Sequence, residues 1–490
     1  VAGIGFKLRA YTQEGTIGGI FRGYYHAMLV AAGPWILTVF CLVAVQYFMR
    51  GQLVETRTFL ETIIYIYAWT LITTAPIQLV ATRYLADQLD AQKLTTHMPA
   101  LVTVTIVNAV IHAVLGAAFM AFVEVPWVYR LASVSLFVLV AETWLVMAFI
   151  GALRAFHLVA TSYIFGTASG ILSAYLMGRY FGESGYMMGM VVGQTNVLAI
   201  ALASLAREFE FERSFNWDWL IYFKKAPALP LAGLFYYSAI WLTLMIYWWG
   251  PQGYKIKGLC LFAYPPMDLA SFYAQLTIIP TVTAFYVHCE TSFYEDYRGF
   301  YNAILTKRPL EFIVAGRDKL KARLKDSLFT MLLVQLTVTL GTLTFLDEIQ
   351  VLLELGDLER ELFRNVCIAA VPQVMLLFCL VILFYFQFYR EALVTSIVTF
   401  VVALGVGLMT LVWGQSTYGL GLLLGTLAGC LVGFVMLSRQ LNILEYLTFS
   451  KQPMAEGLNY DPSMKAASGL LGRWMIRDGQ ILDGGLKRES

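Results

Sequence analysis

SVSLFVLVAETWLVMAFIGAL, residues 133–153, is a stretch of 21 residues in which Glu142 is the single ionisable side chain. A helix needs about 20 predominantly apolar residues to cross the hydrocarbon core of a bilayer. The stretch therefore reads as a membrane-spanning helix. Working outward from it, runs of the same kind appear at 24–48, 60–82, 99–123, 130–153, 158–181 and 186–206, and again at 228–249, 266–288, 327–346, 365–388, 392–413 and 416–438. Composition agrees with so many crossings: 59% of the 490 residues are hydrophobic and 13% charged, against about 25% charged in a soluble domain. The expected architecture is an all-α integral membrane protein of twelve transmembrane helices.

Lysine and arginine are distributed as the positive-inside rule requires. With both termini cytoplasmic, 26 of the 34 fall on the inner side and eight on the outer. The first run continues to residue 48 without a short apolar region and cleavage site, so it reads as a retained anchor and not a signal peptide. Six scattered cysteines with no CxxC pair read as small buried hydrophobes. A net charge of +2 gives no reason to expect a nucleic-acid partner.

Two segments resemble each other: LITTAPIQLVATRYLAD around Pro76 and LTIIPTVTAFYVHCETSFYED around Pro280. Each places an apolar turn before a proline and polar residues after it, which suggests two parallel six-helix repeats. The implied organisation is a six-helix bundle at 1–207, an amphipathic linker at 208–227, a second bundle at 228–450 and a tail at 451–490. The linker mixes Phe209, Phe211, Trp217 and Trp219 with Lys224 and Lys225, as an interfacial segment does. The loop between the eighth and ninth runs is strongly basic, with Arg317, Lys319, Lys321 and Arg323 at its centre and Lys307, Arg308 and Lys325 around them. It reads either as a topology signal drawn to anionic lipid or as a docking surface for a cytoplasmic partner.

Walker A, dinucleotide-binding, HExxH and nucleophile-elbow patterns are all missing from the sequence. The expected activity is movement of a substrate, not catalysis, with no cofactor or metal. Intramembrane ionisable groups are then the informative residues, because insertion of a carboxylate at mid-helix costs about 2.5–3.5 kcal/mol. Glu142 is mid-run, and His112 in the preceding antiparallel run sits at nearly the same depth, so the two are placed to pair. Their contact serves either ion coupling and substrate binding or a structural hydrogen bond between helices. Asn108, Gln194, Asn196, Gln335 and Gln373 add amides at depth, and Trp69 with several tyrosines adds rings with polar handles. Such a lining suits sugars. Pro34, Pro76, Pro280 and Pro372 interrupt four runs and are read as hinges beside a cavity. Arg22 and His26, near the inner interface, read as snorkelling side chains. With no lysine or arginine mid-helix, a neutral or partly cationic substrate fits better than an anionic one.

AGIGFKLR (residues 2–9), GPW (33–35), APIQLVATRYLAD (75–87) and ETSFYEDYRGFY (290–301) together resemble the PelG family, the membrane subunits of the Pel exopolysaccharide machinery, over residues 2–451. The resemblance implies a polysaccharide-flippase-like fold of two six-helix bundles around a central cavity in the bacterial inner membrane. It also implies a partly de-acetylated substrate rich in N-acetylgalactosamine, a cytoplasmic glycosyltransferase partner (PelF-like), and membrane partners like PelD, which senses cyclic di-GMP, and PelE. It supplies no catalytic motif, so the site residues rest on depth and charge. The competing expectation is a scaffold that recruits the glycosyltransferase without conducting polymer.

Overall fold

The computed structural model describes residues 18, 24, 25, 27, 28 and 32–450, apart from 53, 55, 91–93, 153–156, 209–214, 259 and 289–292. Arg22, His26, Phe209, Phe211, Cys289 and the 451–490 tail lie outside the described residues. Helices account for nearly all of the rest: α1 (Gly33–Gly51), α2 (Arg57–Asp90), α3 (His97–Ala121), α4 (Trp127–Ala152), α5 (His157–Glu208), a short α6 (Ile221–Lys225) and α7 (Ala228–Trp248). A two-stranded hairpin, β1 (Tyr254–Lys257) and β2 (Leu261–Ala263), leads into α8 (Pro265–Leu276) and α9 (Ile279–His288). The chain continues through α10 (Tyr294–Leu305), α11 (Leu310–Thr344), α12 (Leu346–Leu352), α13 (Asp357–Tyr385), α14 (Tyr389–Trp413), α15 (Leu420–Asn442) and α16 (Leu444–Ser450). Among the described residues, eleven segments are long and apolar enough to cross a membrane. This is a multi-pass membrane protein.

One of the eleven, Val159–Arg207, is nearly twice the length a crossing needs. Its chain reverses at Gly182, whose φ of 55° and ψ of −136° break the helix in a conformation open to glycine. The two arms of α5 then pack with their backbones in contact. A Cβ on Gly189 would stand 2.3 Å from the Cα of Ala174, and one on Gly193 2.8 Å from the Cα of Gly170. The same construction joins α14 and α15: Gly421, Gly425, Gly429 and Gly433, one helical turn apart, lie against Gly407, Ala403, Thr399 and Thr395. Lipid tails are as apolar as leucine, so helices in a membrane associate through such close small-residue faces. In the first half α1 packs on α5 and α2 on α4, and in the second α7 packs on α14 and α8 on α13, while α2 runs against α7 between the halves.

The four prolines differ in where they stand within their helices. Pro76 and Pro372 do lie inside α2 and α13. Pro34, by contrast, sits in the first turn of α1, and Pro280 is the second residue of α9, after the break that ends α8 at Leu276. Both stand in a first turn, where proline's missing N–H costs nothing, and the break before Pro280 falls within one apolar span.

The described residues form two compact units, one within 18–294 and 324–437 and one within 295–323 and 438–450. The smaller, described by itself, comprises α10, the start of α11, and α16.

Candidate functional site

Glu142 on α4 is buried, and its Oε1 accepts a 2.9 Å hydrogen bond from Asn108 Nδ2 on α3. His112, one turn further along α3, donates from Nδ1 to the main-chain oxygen of Asn108 (2.8 Å), and its Nε2 meets the hydroxyls of Thr73 (2.8 Å) and Thr74 (3.1 Å) on α2. The direct pairing expected between Glu142 and His112 is therefore replaced by a chain through Asn108. The reason is local. A ring four residues after a carbonyl on the same helix reaches back to it, and this turns His112 toward α2 while the Asn108 amide takes the carboxylate. Among the described residues, Glu142 Oε2 and Asn108 Oδ1 have no hydrogen-bond partner, an expensive state for buried oxygens. The chain links α2, α3 and α4 two to three residues before Pro76.

The other amides lie elsewhere. Gln194 on the second arm of α5 donates to Thr143 (2.6 Å), beside Glu142, and Asn196 bridges the two α5 arms through Ser169 (2.8 Å). Trp69 packs half-buried against the apolar core. In the second half Gln335 on α11 accepts from Thr281 (2.7 Å) and donates to Thr277 O (3.4 Å), and Gln373 on α13 exchanges hydrogen bonds with Gln275 on α8 (3.2 and 3.3 Å). These contacts repeat those of the first half: threonines flanking Pro280 meet a polar side chain on the next long helix, as Thr73 and Thr74 before Pro76 meet His112.

A second buried acidic group escaped the sequence reading. Glu61 on α2 is 3% exposed, and Asp268 in the first turn of α8 and Arg57 lie within electrostatic reach of it. Trp248 donates to Asp268 (2.7 Å), and Arg57 stacks 4.9 Å over the Tyr254 ring of β1. Tyr65 donates to Phe262 O (3.0 Å) and accepts from its N–H (3.3 Å), and Lys257 pairs with Glu183 (3.9 Å) beside the Gly182 turn. Gly258 lies where a Cβ would stand 2.2 Å from Phe122 O. The β1–β2 hairpin, which belongs to the second half, is thus strapped across helix ends of the first. In the sequence Glu61 and Arg57 look like ordinary interfacial charges at the end of a run, and only the fold brings Asp268 to them.

At the other end, the linker is held by the RYLAD stretch of α2. Asn216 donates to Tyr84 (2.9 Å), Tyr222 donates to Asp87 (2.7 Å), and Arg83 pairs with Asp87. Burial, then the bond to Asp87, raises the Tyr222 phenol above its usual range. Trp219 is fully buried and donates to Thr103 (3.1 Å), whereas Phe215 and Trp217 remain exposed.

Within the smaller unit, the four central basic residues are engaged inside the chain. Arg317 pairs with Asp318 and Glu445, Lys321 with Asn442 Oδ1 (2.5 Å), and Lys319 (2.7 Å) and Arg323 (3.0 Å) with Asp296. Burial would raise the Asp296 carboxyl, but the two cations outweigh it and hold it below the usual carboxylate range. Among the described residues no cluster of three or more His, Cys, Asp or Glu is arranged for a metal ion.

The fold that positions these groups is that of MATE-type transporters. An outward-facing MATE family transporter of the MOP superfamily has a TM-score of 0.63 at 10% identity, covering 86% of this chain and 96% of the other. A MATE protein in its bent conformation has a TM-score of 0.60 at 11% identity over 91% and 98%. A MOP superfamily transporter from Pyrococcus furiosus has a TM-score of 0.58 at 11% identity over 86% and 96%. Within that architecture, the chain belongs to the PelG family, described as "Putative exopolysaccharide Exporter (EPS-E)", whose model matches residues 1–449. No curated protein matches it.

Proposed function

We propose that this chain moves an exopolysaccharide from the cytoplasm across the bacterial inner membrane, as a transporter and not an enzyme. Family membership supports the polymer and the MATE-type fold supports transport. The observation that carries the mechanism is the buried chain Glu142–Asn108–His112–Thr73/Thr74, which ties α2, α3 and α4 together and leaves carboxylate and amide oxygens unpartnered. When the helices rearrange, both oxygens can accept from sugar hydroxyls or from an ammonium, and the carboxylate can also take up a proton.

The proposed architecture is twelve crossings in two six-helix repeats with both termini cytoplasmic. The two arms of α5 count as the fifth and sixth crossings, and 1–207, 208–227, 228–450 and 451–490 are bundle, linker, bundle and tail. The matching helix pairs in the two halves support this, as do the matching proline-flanked polar bridges. The proposed cargo is a Pel-like polymer rich in N-acetylgalactosamine and partly cationic, delivered by a PelF-like glycosyltransferase in a complex with PelD-like and PelE-like proteins. Among the described residues no lysine or arginine bonds to the Glu142 cluster, which favours such a cargo over an anionic one.

The test is polymer export from cells carrying Glu142→Gln, with co-purification of the glycosyltransferase as internal control. Loss of export with an intact complex is expected. Unchanged export would remove Glu142 from the path. A scaffold role has one observation in its favour, a separate basic unit with its own ion-pair network. It requires instead that Lys307→Glu with Arg308→Glu dissolve the complex while Glu142→Gln has no effect.

A further inference from the structure

We propose that a groove between α11, α13 and α15 binds one phospholipid whose headgroup carries both a phosphate and a primary ammonium, with its acyl chain against Pro372. The cavity has a volume of about 640 Å³. Phe329 and Leu332 on α11 and Leu427 and Cys430 on α15 form its walls, and Pro372 and Met375 on α13 its floor. The sequence creates this space in two ways. Pro372 interrupts the hydrogen-bond ladder of α13 within the apolar span, and the glycine face of α15 is turned toward α14 and α13, so its opposite side is left to line the groove.

Phe329 and Leu427 are 61% and 41% exposed, so the groove opens sideways from a membrane-spanning bundle. Below the rim its lining is apolar, and an unfilled apolar cavity forfeits packing. An acyl chain is the molecule available at that depth. The rim decides which lipid. Lys325 and Asp326, both exposed, border the groove where the apolar part of α11 begins. Lys325 suits a phosphate, and Asp326 suits an ammonium that can donate hydrogen bonds. Phosphatidylethanolamine satisfies both. Phosphatidylglycerol sets its glycerol against Asp326 without a cation, and phosphatidylcholine brings a cation without an N–H.

The full-length protein, reconstituted in equal parts phosphatidylethanolamine and phosphatidylglycerol and then released into mild detergent for native mass spectrometry, is expected to retain one phosphatidylethanolamine. Lys325→Glu is expected to lower its apparent affinity about tenfold, the scale of one charge-assisted hydrogen bond, and Leu427→Trp to abolish retention by filling the groove. Asp326→Asn is expected to let phosphatidylglycerol compete equally. Retention of no lipid, equal retention of phosphatidylglycerol or phosphatidylcholine by the unaltered chain, or undiminished phosphatidylethanolamine in Lys325→Glu would overturn the proposal. Lys325 is exposed, so its replacement reads the rim without disturbing the helix packing.

Discussion

At the scale of single residues, Glu142 carries most of the functional weight, and Glu142→Gln separates its two roles. Glutamine keeps an oxygen that accepts from Asn108, so the structural bond persists and thermal stability in detergent is expected to change by no more than about 0.5–1 kcal/mol. What disappears is the ability to hold charge or a proton. Asn108→Leu does the reverse. It leaves the carboxylate with no donor, and is expected to cost about 1–3 kcal/mol. A double variant that loses much less than the sum of the single losses is the signature of the contact.

Asp296 permits a prediction in pH. Its folded-state affinity for protons is depressed by Lys319 and Arg323, so it contributes stability above the unfolded carboxylate value of about 4 and loses it as pH falls through the folded value. Hydrogen exchange in α10 should therefore quicken in Asp296→Asn at pH 7, by about 1 kcal/mol given the exposure of both cations. The gap between variant and parent should close in acid.

Legibility at this scale was uneven for a physical reason. A carboxylate in the middle of an apolar run announces itself, because insertion energetics leave few explanations for it. Its partner does not, since Asn108 and His112 share one helix and only their rotamers decide which reaches Glu142. Glu61 and Asp268 stayed hidden because each sits near the end of its run, where charges are common.

At the scale of elements, helix pairing through glycine sets what the fold tolerates. Gly189→Val forces a side chain into the backbone of Ala174, and is expected to destabilise by about 1–3 kcal/mol. Gly341 on α11 has nothing within 4 Å of a new Cβ, and Gly341→Ala is expected to stabilise by roughly 0.5–1 kcal/mol through helix propensity. Thermal unfolding of the two variants in one detergent compares crowded with open glycine directly. The positions of the runs were readable because hydropathy follows bilayer thickness. Their pairing was not, because a glycine repeat does not say which helix it faces. The β1–β2 strap had no period to reveal it, its strands being only four and three residues long.

That strap makes a sharp test, because Gly258 has φ of 67° and rests on the 122–124 backbone. Gly258→Ala adds a left-handed penalty of about 1–2 kcal/mol to a direct clash. Cys260, partly exposed between the strands while Cys41, Cys367, Cys379 and Cys430 are buried, reports the result. Its labelling by maleimide should accelerate roughly tenfold, the factor that about 1.4 kcal/mol of easier opening gives. An unchanged rate would mean that the strap is held by Tyr65, Arg57 and Lys257 without help from the glycine.

For the whole molecule, the repeat and the orientation stand or fall together. The proposed repeat counts the α8 and α9 segment as one crossing, so it predicts that the strap after α7 and the turn after α10 are reached from opposite faces of the membrane. Charge supports the same arrangement, since the lysine and arginine excess falls on the side of α10 and α11. In a chain with Cys289 replaced by serine, a membrane-impermeant maleimide added to spheroplasts should label Cys260 and leave Thr306→Cys, an exposed position beyond α10, unlabelled until the membrane is opened. Inside-out vesicles should give the opposite pattern. If both sites label from one face, an even number of crossings separates the strap from α10. The α8 and α9 segment would then be a re-entrant pair broken between Leu276 and Ile279, and the six-plus-six repeat would fail.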